Sequence, residues 1–324
     1  SKSEWYKIRC IKGLRDCNEK LVRQKGQKGA VFGSATNTVR GIGFMCLAVM
    51  LFPFLNAIVK YLGADYAMTQ VIWLRYLGHF ALMLIIFLPF HGRALFRTKN
   101  LGAQVIRSLL LLGSTSCYFM ALTYLPLTTA ASISFTSPLI VTALSVPFLG
   151  EKVGPRRWAA ICVGFIGAMI IIRPGGADFH GVELLVVCSA TFYSFFQVLT
   201  RKLAGQDSPA TTIIYTAVFG GLITSFIGPF YWVTPVVQFD WVLFAAMGLF
   251  GGLGHLFVVK AFQWAEVSAV SPFAYGQLVG AVILGFFIFG EFPDMWTWVG
   301  SAIIVSCGAY ITYRETILGR AGKA

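Results

Sequence analysis

The chain has 324 residues, of which 57% are hydrophobic and 12% charged, with a formal net charge of +13. A soluble domain carries roughly 25% charged residues because its surface must face water, so a water-soluble globular fold is excluded and most of this surface must face lipid. Seven cysteines are scattered without a CxxC or Cys/His cluster, so neither a disulfide framework nor a zinc site is suggested.

Residues 1–40 hold ten Lys/Arg and three acids, with no apolar run long enough for a signal-peptide core. They read as a basic cytoplasmic tail, either solvated or resting on anionic headgroups. A helix needs about 20 mainly apolar residues to cross the hydrocarbon core. Windows of that size predict spans at 41–60, 68–89, 103–122, 127–148 and 157–173, then at 181–200, 211–232, 240–260, 266–289 and 296–313. A short tail, 314–324, closes the chain. The fold class is an all-α polytopic membrane protein of ten transmembrane helices.

Lys and Arg accumulate on the cytoplasmic side of a membrane. With a cytoplasmic N-terminus, 22 of the 26 Lys/Arg fall in cytoplasmic segments. The expected topology is therefore multi-pass in a bacterial inner membrane with both termini cytoplasmic. The positive charge is a topology signal, and it calls for the lipid bilayer as partner and no nucleic acid.

The chain repeats itself at an offset of 140 residues. Gly41-Ile42 falls on Gly181-Val182, Leu149-Gly150-Glu151 on Phe289-Gly290-Glu291, and Trp158 on Trp298, while Ala121 and Tyr124 match Ala261 and Trp264. The two units, 41–174 and 178–313, each hold five spans. An odd number obliges the second to enter the membrane upside down, giving two inverted five-helix repeats, an architecture common among secondary transporters.

Two stretches carry a resemblance. The first runs from Ala121-Leu-Thr-Tyr-Leu-Pro-Leu-Thr-Thr-Ala-Ala-Ser through Ser137-Pro-Leu and Leu149-Gly-Glu to Arg157-Trp and Gly164-Phe-Ile-Gly. The second runs from Lys260-Ala-Phe-Gln-Trp-Ala-Glu through Ser271-Pro-Phe-Ala-Tyr and Phe289-Gly-Glu to Trp298-Val-Gly. In this order, twice, they resemble the EamA family of the drug/metabolite transporter superfamily over residues 41 to about 313. The resemblance implies a ten-helix bundle with a central cavity lined mainly by spans 1, 3, 4, 6, 8 and 9. Within that family the sequence is similar to bacterial carriers of riboflavin and S-adenosylmethionine, while other members export amino acids or drugs.

Candidate solute contacts follow from polar and kinked positions. Pro138 and Pro272 lack an N–H and clash with the carbonyls of Ser134 and Ser268. Freed carbonyls are tolerated in a membrane only against protein or a watery cavity. Thr128, Ser132, Ser134, Ser137, Ser271 and Tyr275 lie near these kinks as solute ligands or as packing residues. The two prolines are not equivalent under the 140-residue offset. Asn56 and Gln197 need partners inside the bundle, and His255 lies about a turn and a half deeper in span 8 than Lys260. Tyr118, Tyr193, Trp264 and Tyr275 would stack on a flat heteroaromatic solute.

Arg75, in span 2, is assigned a structural role, and Arg107 and Lys260 are expected to snorkel. All thirteen acids fall in tails, loops or helix ends, with Glu183 deepest, so no mid-depth carboxylate is available for proton coupling. Glu151 and Glu291 are expected to complement the N-termini of the helices that they precede. Facilitated diffusion or exchange fits best. The four histidines are dispersed and no HExxH motif occurs, so neither an enzyme nor a cofactor or metal is expected. A receptor or assembly factor without transport is the rival of another class.

Overall fold

The computed structural model describes residues 35–321 apart from 151–152, 176–178, 180, 204–206 and 265–272. Its α-helices are α1 (Ala35–Leu62), α2 (Met68–His91), α3 (Leu101–Leu122), α4 (Leu127–Ser134), α5 (Ser137–Leu149) and α6 (Pro155–Ile172) in the first half. The second half holds α7 (Glu183–Leu203), α8 (Pro209–Ser225), α9 (Gln238–Trp264), α10 (Gly276–Phe289) and α11 (Met295–Ala321). Among the described residues, seven apolar stretches are long enough to cross a membrane, α4 and α5 counting as one, and three shorter apolar helices complete the ten spans.

The elements depart from the sequence reading in the first span, where α1 begins at Ala35 inside the segment read as a tail, in span 7 and in the last span. Span 7 is shorter than expected: α8 stops at Ser225, and a 3-10 turn follows at Gly228–Tyr231, where Pro229 supplies no N–H to continue the helix. The last span is longer, since α11 runs to Ala321 through most of the segment read as a C-terminal tail. Most of the N-terminal tail, together with Ser271 and Pro272, lies outside the described residues.

Span 4 is broken as Pro138 requires. The helix ends at Ser134 and restarts at Ser137, with Pro138 in the first turn of α5, a position where a missing N–H costs nothing. Span 9 breaks as well: a helical turn at Phe273–Ala274 gives way at Tyr275 before α10 begins. Here the expectation is corrected. The two prolines are out of register, yet the breaks at Phe135 and Tyr275 are 140 residues apart and therefore equivalent. Their rings touch, with centroids 4.9 Å apart. Residues related by a two-fold axis can meet only beside that axis, so this pair marks it.

The packing obeys the same exchange of halves. Helix α1 packs on α9 as α7 packs on α3; α2 packs on α9 as α8 packs on α3; α1 meets α10 as α7 meets α4 and α5. The pairs α2–α8, α6–α11 and α4–α10 map onto themselves.

Polar ties close both ends of the bundle. At the end from which α1 starts, hereafter the N-side, Asp207 accepts hydrogen bonds from Thr98, the Lys99 N–H and Gln104. Burial pushes this carboxyl up, but those bonds outweigh it and hold the group below its ordinary value. At the far side, Lys60 pairs with Glu291 and donates to the Leu125 carbonyl at 2.7 Å. Glu291 also accepts from the Leu127 N–H at 3.2 Å. It therefore serves the N-terminus of α4, correcting the expectation that it complements the helix after it, where Asp294 instead accepts from the Thr297 N–H. Arg173 pairs with Asp294 at 2.8 Å.

Glycines set the closest helix crossing. A Cβ on Gly248 of α9 would lie 2.7 Å from the Cα of Gly78 in α2, a backbone contact that no rotamer change relieves. Gly248→Ala should therefore lower stability by about 1–3 kcal/mol. Gly43→Ala, where a Cβ meets nothing within 4 Å, should be neutral or stabilising by up to about 1 kcal/mol. Thermal unfolding of the two purified variants in detergent checks the difference in sign.

Candidate solute cavity

A cavity of about 320 Å³ lies where the two broken spans cross, within the size range of small-molecule sites. Both halves wall it. From the first come Asn56 of α1, Arg75 of α2, Thr115, Tyr118 and Phe119 of α3, and Ser134, Phe135, Ser137 and Pro138 at the break of span 4. From the second come Ser189, Tyr193 and Gln197 of α7, His255 of α9, Ala274 and Gln277 around the break of span 9, and Gly308 of α11.

The break explains the polar character of one wall. Pro138 offers no N–H to the Ser134 carbonyl, and backbone freed at membrane depth must face protein or a water-filled space. Ser137 ties that wall to the second half. Its hydroxyl lies 2.9 Å from the Ser194 hydroxyl, its carbonyl accepts from Ser194 at 3.1 Å, and Gln197 reaches the Ser137 hydroxyl at 3.4 Å. An aromatic wall stands beside it, formed by Tyr118, Phe119, Phe135 and a Tyr193 ring stacked on Phe196 at 5.6 Å.

The sequence-derived candidates separate into groups. Asn56, Tyr118, Ser134, Ser137, Tyr193, Gln197, His255 and Pro138 stand on the cavity wall. Tyr275 stands behind it, packed on Phe135. Thr128 and Ser132 do not line it. Thr128 is buried beside α10, and Ser132, 1% exposed, accepts a 2.7 Å hydrogen bond from Ser301 of α11. Trp264 is 38% exposed and lies under the Arg40 guanidinium at 5.4 Å, away from the cavity. Ser271 and Pro272 lie outside the described residues.

Arg75, which the sequence reading assigns a structural role, stands on the cavity wall, 3% exposed. Thr115, Phe119, Ser189 and Gln277 escape the sequence reading. The signal for the α3 residues is present in the sequence as a stripe, since Leu111, Thr115, Tyr118 and Phe119 recur at helical spacing. Arg107 does not snorkel. It is 3% exposed and donates to Thr200, the Thr212 carbonyl and Thr216 at 2.6–2.9 Å.

Ten spans in two inverted halves around a central polar and aromatic cavity define a membrane carrier rather than an enzyme. The EamA-like transporter family model matches residues 39–173 and again 181–314, and the chain belongs to that family. It is a metabolite transporter. The chain is 31% identical to an S-adenosylmethionine uptake transporter of Rickettsia conorii over 85% of this chain and 93% of that protein. It is 33% identical to a riboflavin transporter of Vibrio cholerae over 86% of this chain and 94% of that protein. A solved crystal structure shares the fold, with a TM-score of 0.61 at 20% identity over 88% of this chain and 99% of that one.

The placement of the two serines predicts opposite phenotypes. Ser134→Leu, on the cavity wall, should lower solute flux at least tenfold with an unchanged melting temperature. Ser132→Ala breaks a buried hydrogen bond and should cost about 0.5–1.5 kcal/mol of stability while leaving flux per folded molecule near wild type. Transport assays and thermal unfolding on both variants check this.

Proposed function

We propose that the chain carries a flat heteroaromatic metabolite, of the S-adenosylmethionine or riboflavin kind, across a bacterial inner membrane by alternating access. Residues 41–174 and 178–313 act as the two moving units, and both termini are cytoplasmic. The observation that carries this reading is the composition of the cavity. Tyr118, Phe119, Phe135 and Tyr193 offer ring faces on which a heteroaromatic group stacks. Asn56, Ser134, Ser137 and Gln197 offer the few oriented donors and acceptors that such a group needs at its edge.

The cavity lining runs from Asn56, Arg75 and Phe119 in the far-side halves of α1, α2 and α3 to Ser145, Val258 and Gln277 in the N-side halves of α5, α9 and α10. At the far side Lys60–Glu291 and Arg173–Asp294 each join the first half to the second. Exchanging the conformations of the two inverted halves parts these far-side ties in one state and the N-side ties around Asp207 in the other. No carboxylate of the described residues lines the cavity, which supports facilitated diffusion or exchange over proton coupling through an acid.

Counterflow in proteoliposomes tests the reading without any assumption about energy coupling. Vesicles preloaded with S-adenosylmethionine or riboflavin should accumulate the labelled solute transiently and saturably. Accumulation of neither, by protein that remains folded, rejects the solute class; accumulation of an aromatic amino acid alone would identify an amino acid carrier instead.

A further inference from the structure

Arg75 and Arg107 are both buried inside this bundle, and their surroundings differ. Arg107 donates three hydrogen bonds of 2.6–2.9 Å to hydroxyl and carbonyl oxygens, and its guanidinium lies 4.5 Å from the Phe196 ring. Three of its five N–H donors are engaged in short bonds, including Nε. Arg75 reaches only the Thr115 hydroxyl and the His255 ring, each at 3.4 Å, and its buried Nε has no partner. A guanidinium has five N–H donors and keeps its proton in any protein environment. Most of the donor capacity of Arg75 is therefore unused, and its charge has no carboxylate opposite it among the described residues.

The site is nevertheless built to hold that guanidinium still. It lies between the rings of Tyr76 and Phe119, at 5.0 and 5.2 Å from their centroids. Gly251 lies alongside it, a Cβ there standing in ordinary contact 3.4 Å from the arginine Nε. Arg75 can only donate, so His255 accepts at Nε2 and carries its own proton on Nδ1, which points away from the guanidinium; His255 therefore helps to orient Arg75. His255 is fixed in turn, edge-on to Phe52 at 5.4 Å and stacked on His79 at 6.0 Å. Both residues line the cavity.

We propose that Arg75, supported by His255, is the anion clamp of the cavity, and that the transported solute presents a carboxylate to it. A fixed, uncompensated cation at membrane depth is favourable only when a counter-charge arrives with the cargo, and a planar guanidinium matches a carboxylate in two-point contact. This rests on the transport reading of the same cavity and narrows it. S-adenosylmethionine carries a carboxylate on its amino acid moiety, and riboflavin carries none. The α-amino group of such a solute has acceptors in the same cavity, at the open end of α4 where Pro138 leaves the Ser134 carbonyl without a helical donor.

The test is competition for counterflow of labelled S-adenosylmethionine by the unlabelled compound, its decarboxylated analogue and riboflavin, in wild type, Arg75→Lys and Arg75→Gln. The wild type should prefer S-adenosylmethionine to the decarboxylated analogue at least tenfold. Arg75→Lys should keep part of that preference and Arg75→Gln should lose it. Equal competition by the two compounds in the wild type, or carriage of riboflavin but not S-adenosylmethionine, overturns the clamp. Should neither heteroaromatic solute be carried, the function reading fails, and the clamp is then decided by thermal unfolding of wild-type protein with phenylacetate against phenylacetamide. Stabilisation by the acid alone, lost in whichever Arg75 variant folds, sustains it; equal or absent effects overturn it.

Discussion

Inside a bilayer a backbone N–H or C=O has no water to turn to, and this constraint governs the molecule. Helices satisfy it along their whole length, so every interruption needs a reason. The chain interrupts two spans at equivalent places, Phe135 and Tyr275, and brings both to the axis that relates the halves. Irregular backbone there must face protein or a cavity, and a cavity on the axis is equally accessible to either half. The position of the cavity thus follows where the helices are broken.

The same constraint sorts the polar side chains. Ser132 bonds Ser301, Ser114 lies 3.0 Å from Ser189, Arg107 is held by three threonines, and Gln70 exchanges hydrogen bonds with the backbone of Val233. Each joins two helices or a helix and a loop, and its value lies in holding them together. Arg75, on the cavity wall, is short of partners and is the extreme case, since an unmatched charge is the most expensive group to leave in hydrocarbon. The far-side ion pairs stand between these classes. Lys60–Glu291 and Arg173–Asp294 are formed at helix ends between opposite halves, where they can break without exposing a buried charge to lipid.

Spans, repeat and family were legible in the sequence because hydropathy, spacing and loop charge are properties of the chain alone. The break in span 4 was legible for a local reason, the missing N–H of Pro138. In span 9 a kink was legible from Pro272 but its place was not, because Pro272 precedes Tyr275 by three residues whereas Pro138 follows Phe135 by three, and Tyr275 itself carries no mark of the break. Which face of α4 meets the cavity was legible only as an alternative. Ser132 and Ser134 are about 200° apart on a helix, so one must face a neighbour, and only the packed α11 decides which. The place of Arg75 was hidden for the same reason: its depth can be counted along the span, but its direction depends on how α2 leans against α9. The length of α11 was hidden by the charges at Arg314 and Glu315, which interrupt the apolar window without interrupting the helix.

The central claim is that one cavity, walled by both halves, is opened to each side in turn. Ser134→Cys in a cysteine-free background places a reporter on that wall, and Lys60→Cys with Glu291→Cys adds a reversible lock at the far side. Membrane-impermeant maleimide should label the thiol introduced at position 134 from either face of oriented vesicles when the lock is reduced, and from the N-side face alone when it is oxidised. Labelling from one face regardless of the lock would contradict alternating access.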